Sequence, residues 1–434
     1  MFENMFDQVD FGALKPYLEN DDVTDISYSN GGQIWLKTLS RGIFRIELPS
    51  VNNAFMEKLA FQCANVMGKS FNMAHPFLDA ESTELRLNFV HDSIARNGIA
   101  VVLRKTPAKV RLEHKKLIAE KYITEDIHNF LINCVLGHCN IIVCGETGSG
   151  KTEFVKYLAS KTKEDEKIIT IEDTLELHLD RIFPHRDIVA MKTNNIASYS
   201  EVLVTCMRQN PKWILLSEVR SAEAVLAVRN SISSGHYILS TIHADKAASI
   251  PSRMYSLLET NQDIEQFLTS IHRYIQIGVM IRGYQDKNTK KFVREIAEVT
   301  EFYVDSNNKP KTNVIYKKDM EGRQFRNQPT KYLIDYLEGQ GIVLNNVIQS
   351  DNVQNMNTNQ MNNQNININP NVNNQNINAN QINNQLNNMN NINRTNTVTS
   401  NQTNIPNQGY RQVNTNQYQT ISSYNTQYNN QKNE

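Results

Sequence analysis

No run in this chain approaches the ~18 consecutive apolar residues of a membrane-spanning helix, so no spanning segment is predicted. The opening residues, MFENMFDQVDFGALKPYL, lack the basic start and apolar core of a secretory signal. Net charge is missing too: 45 Lys and Arg balance 45 Asp and Glu. That balance argues against a protein built mainly to coat nucleic acid, though it allows a local basic patch. Cysteine is scarce, with only Cys63, Cys134, Cys139, Cys144 and Cys206 in 434 residues. These are too few for a disulfide scaffold and fit a reducing cytosol. Cys134, Cys139 and Cys144 are separated by four-residue gaps without any Cys-x-x-Cys, which favours buried thiols over a metal site. Hydrophobic residues make up 40%, a low share for which the C-terminal tail accounts in large part.

The length suggests two or three domains. The first runs to about residue 105 and reads as a small α+β unit. In it, DDVTDISYSNGGQIWLK alternates around Gly31-Gly32 as a hairpin, and AFMEKLAFQCANVMGK has helical spacing. ELRLNFVHDSIARNGIAVVLRK reads as two strands around an Asn97-Gly98 turn. A basic connector of about residues 106–117, TPAKVRLEHKK, follows. From about 118 to 342, the apolar runs NIIVC, KIITIE, WILLSE and YILSTI alternate with helical segments. That alternation predicts an α/β fold with a mostly parallel sheet covered on both faces. TEDIHNFLINCVLG is expected to be a helix capped by Thr124 and stopped by Gly137. IQIGVMIRGY and KKFVREIAEVTEFYV are expected to close the domain as a hairpin. About 343–434 is Asn- and Gln-rich and is expected to be a disordered tail.

IIVCGETGSGKTEF carries the strongest chemical signal. Gly145, Glu146, Thr147, Gly148, Ser149, Gly150, Lys151 and Thr152 spell G-x-x-x-x-G-K-T between a predicted strand and a predicted helix. Glycine lets the backbone turn tightly enough to aim its N–H groups at phosphate oxygens. The helix N-terminus adds positive potential. Lys151 can reach the β- and γ-phosphates of ATP, and the Thr152 hydroxyl can ligate Mg²⁺. Three further strands end in polar groups: Glu172 and Asp173 after IITI, Glu218 after WILLS, and Thr241 and His243 around YILSTIHA. Ligands of parallel α/β sheets bind beyond the carboxyl ends of the strands, so these groups fall on the edge that holds the phosphate loop. His178, His185 and His236 have no comparable context.

GETGSGKT, TIEDTLEL, MRQNPKWILLSEVRSAEA and SGHYILSTIHA resemble, in order and spacing, the Walker A, Asp box, Walker B and His box of the secretion ATPase superfamily. Those proteins drive type II secretion, type IV secretion and pilus assembly. The resemblance covers about residues 20–305 and is nearest to the VirB11-like branch with the tight-adherence and Flp-pilus motors. It implies a RecA-like motor domain, with Glu218 and Glu172 acting on Mg²⁺ or the attacking water and His243 sensing the γ-phosphate. It also implies that Arg86, Arg96 and Arg104 approach the phosphates from the N-terminal domain, with Arg104 the best placed. Arg208 matches a family position, and Arg220 is expected to anchor local structure or a subunit contact. The family further implies a homohexamer in the cytoplasm, peripheral to the membrane on inner-membrane secretion or pilus platform proteins, with no direct nucleic-acid contact. Lys212, Ser217, Tyr237 and Ile238 depart from the family pattern, and the absence of a tetracysteine element argues against the type II branch. Two rival readings stand beside this one. A RecA-like nucleic-acid translocase would need a basic groove or stacking aromatics. A non-hydrolysing nucleotide-binding scaffold would not need Lys151, Glu172, Glu218 and His243 together.

Overall fold

The computed structural model describes residues 6, 8–193, 196–258 and 263–344. From residue 345 onward the predicted tail lies outside the described residues. The N-terminal part is built on six strands: β1 (Val23–Ser29), β2 (Gln33–Thr38), β3 (Gly42–Ile46), β4 (Phe77–Glu81), β5 (Leu85–Val90) and β6 (Ala100–Lys105). They lie in the order β3-β2-β1-β6-β5-β4, all neighbours antiparallel. Strand side chains alternate between faces. Ile26, Tyr28, Ile34, Leu36, Leu87, Phe89, Val101 and Leu103 share a core with Met56, Leu59, Ala60 and Cys63 of the helix Asn53–Val66. Out of that core, the register aligns Lys37, Asp25, Arg104, Arg86 and Glu81 in one row across β2, β1, β6, β5 and β4.

The remainder forms a nine-stranded sheet from β7 (Ile141–Cys144), β8 (Ile168–Glu172), β9 (Ile188–Lys192), β10 (Trp213–Val219), β11 (Tyr237–Ile242), β12 (Ile277–Gln285), β13 (Phe292–Val304), β14 (Pro310–Lys318) and β15 (Gln324–Arg326). Its order is β15-β14-β13-β12-β7-β11-β10-β8-β9, parallel from β12 to β9 and antiparallel from β12 to β15. The parallel strands are apolar throughout because both faces are covered. The helices Glu125–Leu136 and Lys151–Ala159 pack on one face around Phe130, Phe154 and Trp213. On the other, the helices Tyr199–Met207, Ala222–Ser233, Ile250–Leu257 and Ile264–Tyr274 pack around Leu203, Val228, Met254 and Ile271. Both sheets belong to one compact unit, residues 1–355. Among the described residues, no helix is long and apolar enough to cross a membrane.

Several local expectations change. Residues 91–99 make a nine-residue connection between β5 and β6, so Asn97-Gly98 is not a two-residue turn. Asn97 instead donates to Asn30 at the β1–β2 turn, 3.3 Å away. Thr124 stands at the N-cap position but its side chain makes no capping bond. Gly137 ends that helix without a left-handed φ; His138 takes it, at φ 60°. β9, β14, β15 and the helix Lys331–Gly339 were not expected from the periodicity. β9 is a short, half-exposed edge strand and β14 is largely polar, so neither shows a clean apolar pattern. All five cysteines are buried and free.

Candidate functional site

The phosphate loop follows the apolar strand β7 and runs into the helix Lys151–Ala159. Gly145 has φ 144°, and a Cβ there would meet the Ile281 carbonyl oxygen at 2.2 Å. No other residue fits that position without moving β12. Lys151 is buried and donates to the carbonyl oxygens of Gly145 at 3.0 Å and Glu146 at 3.1 Å. Burial pulls its ammonium below the ordinary lysine range, against the pull of Glu218. The Ser149 hydroxyl oxygen is buried with no hydrogen-bond partner among the described residues. No side chain caps the helix N-terminus. The loop thus offers an ammonium, a hydroxyl and uncapped amides to an anion, which is what a triphosphate requires.

Two clefts adjoin the loop, of about 770 Å³ and about 140 Å³. Lys151, Thr152, Glu176 and Arg104 line both. The smaller one also collects Arg86, Asp173, Glu218, Arg220, Thr241 and His243. His243 Nε2 lies 2.8 Å from Glu218 Oε1, and its Nδ1 lies 3.4 Å from Lys151 Nζ. One tautomer satisfies both contacts: Nε2–H donates to the carboxylate and Nδ1 accepts from the ammonium. Asp173 and Arg220 form an ion pair. The Thr241 hydroxyl donates to the Ser217 carbonyl oxygen at 2.6 Å.

The N-terminal sheet supplies the opposite wall through its charged row. Arg104 donates through Nε to Asp25 at 2.8 Å. Burial would lower its pKa, but the Asp25 bond and charge, with Glu176 and Glu218, raise it above the ordinary arginine range. Lys37 Nζ approaches the loop so closely that a Cβ on Gly148 would sit 2.2 Å from it. Contacts flanking the row hold the two sheets together. Phe292 N–H donates to Ser40 O at 2.9 Å, and Arg294 Nη1 donates to Leu39 O at 3.1 Å. Glu81 accepts from Leu175 N–H at 3.2 Å and pairs with Lys192. Arg96 is exposed on the 91–99 connection, at the far end of β5 and β6 from this row, and lines neither cleft. Arg208 is exposed just beyond the helix Tyr199–Met207 and lines neither cleft.

The carboxylates are distributed differently from the sequence expectation. Glu172 is fully buried and turned away from both clefts. It accepts from Glu176 N–H at 2.8 Å, Leu177 N–H at 3.0 Å and Thr170 Oγ1 at 3.1 Å, and so closes the loop after β8. Glu176, not singled out from the sequence, lines the cavity, with Thr152 Oγ1 donating to its Oε2 at 3.4 Å. Burial raises the Glu176 pKa, and Arg104 and Arg86 draw it back. Two signals could have marked the missed residues. Glu176 lies in the quoted TIEDTLEL segment, and Lys37 alternates outward in IWLK, opposite Asp25 in the hairpin register.

Burial pushes the Glu172 carboxyl up to about 7, despite its three donors, from an ordinary value of 4.5. Between those values the folded protein holds a proton that the unfolded chain releases. The contribution is therefore full below 4.5 and lost as pH rises through about 7. A shift of that size corresponds to about 3 kcal/mol. Glu172→Gln is expected to flatten this part of the stability–pH curve, measured by denaturant melts at about pH 5 and about pH 8. An unchanged slope would show that Glu172 is not the titrating group.

The site defines a phosphate-loop protein with paired acid and histidine groups at the strand ends. Residues 77–324 match the Type II/IV secretion system protein family. The match covers more than half of the chain, and the chain belongs to that family. It is 28% identical over 296 residues to an uncharacterized protein of Bacillus anthracis, covering 66% of each chain. It is 36% identical over 158 residues to the Type IV secretion system protein VirB11 of Bartonella quintana, covering 35% of this chain and 42% of that one. The matches thus span from two-fifths to just under two-thirds of these relatives' lengths. The solved structure of the Yersinia pseudotuberculosis ATPase DotB is similar with a TM-score of 0.50 and 13% identity, over 66% of this chain and 76% of that one. That likeness supports the RecA-like α/β fold.

Proposed function

We propose that the chain hydrolyses ATP to ADP and phosphate and acts as the motor of a type IV secretion, conjugation or pilus-assembly machine. Family membership supports the setting. The observation that carries the chemistry is one small cavity that joins Lys151, the Glu218–His243 pair and Glu176 to Arg86 and Arg104 of the other sheet. Lys151 and the loop amides bind the β- and γ-phosphates, and Arg104 and Arg86 neutralise charge that develops on transfer. An arginine delivered by closure supplies about 10³–10⁵ in rate in related chemistry. Glu218, fixed by His243, orients the attacking water and takes its proton. Mg²⁺ fits beside the Thr152 hydroxyl, with the Glu176 and Glu218 carboxylates lining the same cavity, and would neutralise phosphate-oxygen charge. Because Arg86 and Arg104 belong to the N-terminal sheet, nucleotide binding draws the two sheets together and loss of phosphate releases them.

The N-terminal unit (1–105), the connector (106–117) and the motor domain (118–342) follow as proposed divisions. A homohexameric ring, peripheral on the cytoplasmic face of the membrane and bound to platform proteins, completes the reading. Phosphate release from Mg-ATP by the full chain tests it. Steady turnover without nucleic acid is expected. Nucleotide binding without turnover would favour the scaffold, and turnover that requires DNA would favour the translocase.

Lys37 adds a cation to the same wall. Lys37→Ala is expected to raise KM for ATP about tenfold with a smaller change in kcat, since it touches the loop rather than the reacting atoms. Unchanged steady-state constants would remove Lys37 from the site.

A further inference from the structure

Away from the nucleotide clefts, three donor side chains converge where the connector meets the first helix of the larger sheet. His114 opens the helix His114–Ala119. Glu125 and His128 stand three residues apart on the helix Glu125–Leu136, a spacing that places them on one face. Donor atoms of the three residues lie within 4.8 Å of one another. His114 Nε2 is 3.0 Å from Glu125 Oε1, and its ring stacks on that of His128 with centroids 4.2 Å apart.

We propose that His114, Glu125 and His128 form a binding site for one divalent transition-metal ion, of which Zn²⁺ is the best-fitting class. The donor set is two imidazoles and a carboxylate, which suits zinc and not the oxygen-seeking Mg²⁺. Glu-x-x-His on a helix is a recurrent way of presenting two ligands to one ion. The second shell is in place as well. His128 Nε2 lies 2.7 Å from the Tyr157 hydroxyl. With Nε2–H donating to that oxygen, Nδ1 keeps its lone pair for a metal, as a buried ligand histidine requires. Nδ1 also lies 3.1 Å from Asn129 Oδ1. In the other tautomer Nδ1–H donates to that oxygen and the Tyr157 hydroxyl donates to Nε2, so metal binding selects the Nε2–H form. The ion pair accounts for His114 and Glu125, and the Tyr157 and Asn129 contacts hold His128 with a donor atom within 4.8 Å of theirs. A bound ion would staple the connector to the helix Glu125–Leu136. Through Tyr157 it would also reach the helix that follows the phosphate loop.

The test is a Zn²⁺ titration of the tag-free, metal-stripped full chain against a chromophoric chelator in excess Mg²⁺, with metal counted by mass spectrometry. One Zn²⁺ per chain is expected, weakened at least about tenfold by His114→Ala and by Glu125→Gln. Both altered side chains are half-exposed, so these variants keep the fold, which circular dichroism verifies. Zn²⁺ should raise the melting temperature of the unaltered chain and not that of His114→Ala. No bound zinc, or zinc bound equally by chain and variants, overturns the site.

Discussion

Replacing Lys151 by alanine is expected to abolish measurable ATP turnover while leaving the protein folded. The ammonium sits in the phosphate loop, held by the Gly145 and Glu146 carbonyl oxygens with His243 Nδ1 3.4 Å away, and among the described residues Lys151 is the only lysine that lines both clefts. Donors aimed at developing charge in a closed site contribute on the order of 10²–10³ each in kcat. A cation on the transferring phosphoryl group belongs at or above the top of that range. The fold should not suffer, because burial already disfavours this charge. Removing a buried cation relieves a desolvation cost even as two hydrogen bonds are lost. Phosphate release together with a thermal melt separates the outcomes. Full activity in Lys151→Ala would defeat the site assignment.

Glu218→Gln is expected to lower kcat by about 10²–10⁴ with nucleotide binding retained. The amide keeps the shape and can still accept from His243 Nε2, now 2.8 Å from the carboxylate. It loses the negative charge that, in the proposed mechanism, would take the proton from water. The His243 tautomer, and with it the contact to Lys151, should persist, so nucleotide affinity should change little. Single-turnover kinetics beside equilibrium binding of a fluorescent ATP analogue would read both quantities. Binding lost in parallel with turnover would place Glu218 in nucleotide capture instead of the chemical step.

Local features of this site were legible in the sequence, and those set by pairing between distant segments were not. The phosphate loop could be read because its eight residues are contiguous and their glycines answer to backbone geometry, as the contact between Gly145 and the Ile281 carbonyl shows. Glu218 and His243 could be placed because parallel strands deliver their carboxyl ends to one edge. The roles of Glu172 and Glu176 could not be separated. They are four residues apart, and the choice between them follows from how the chain closes after β8, where the amides of Glu176 and Leu177 capture the Glu172 carboxylate. Lys37 was invisible for a different reason. Its place over Gly148 depends on a register running through Asp25 to Arg104, 79 residues beyond Asp25. Arg96 shows the converse. The residue type suited the chemistry, but the 91–99 connection carries it to the wrong end of the strands.

The most direct test is a crystal structure of the full chain with a non-hydrolysable ATP analogue and Mg²⁺. The triphosphate should lie on the amides of residues 145–152, with Lys151 Nζ and Arg104 in hydrogen-bonding contact with its phosphates and the Glu218 carboxylate facing the γ-phosphate. Phosphates bound elsewhere, or a Glu218 side chain pointing away from them, would contradict the hydrolytic site.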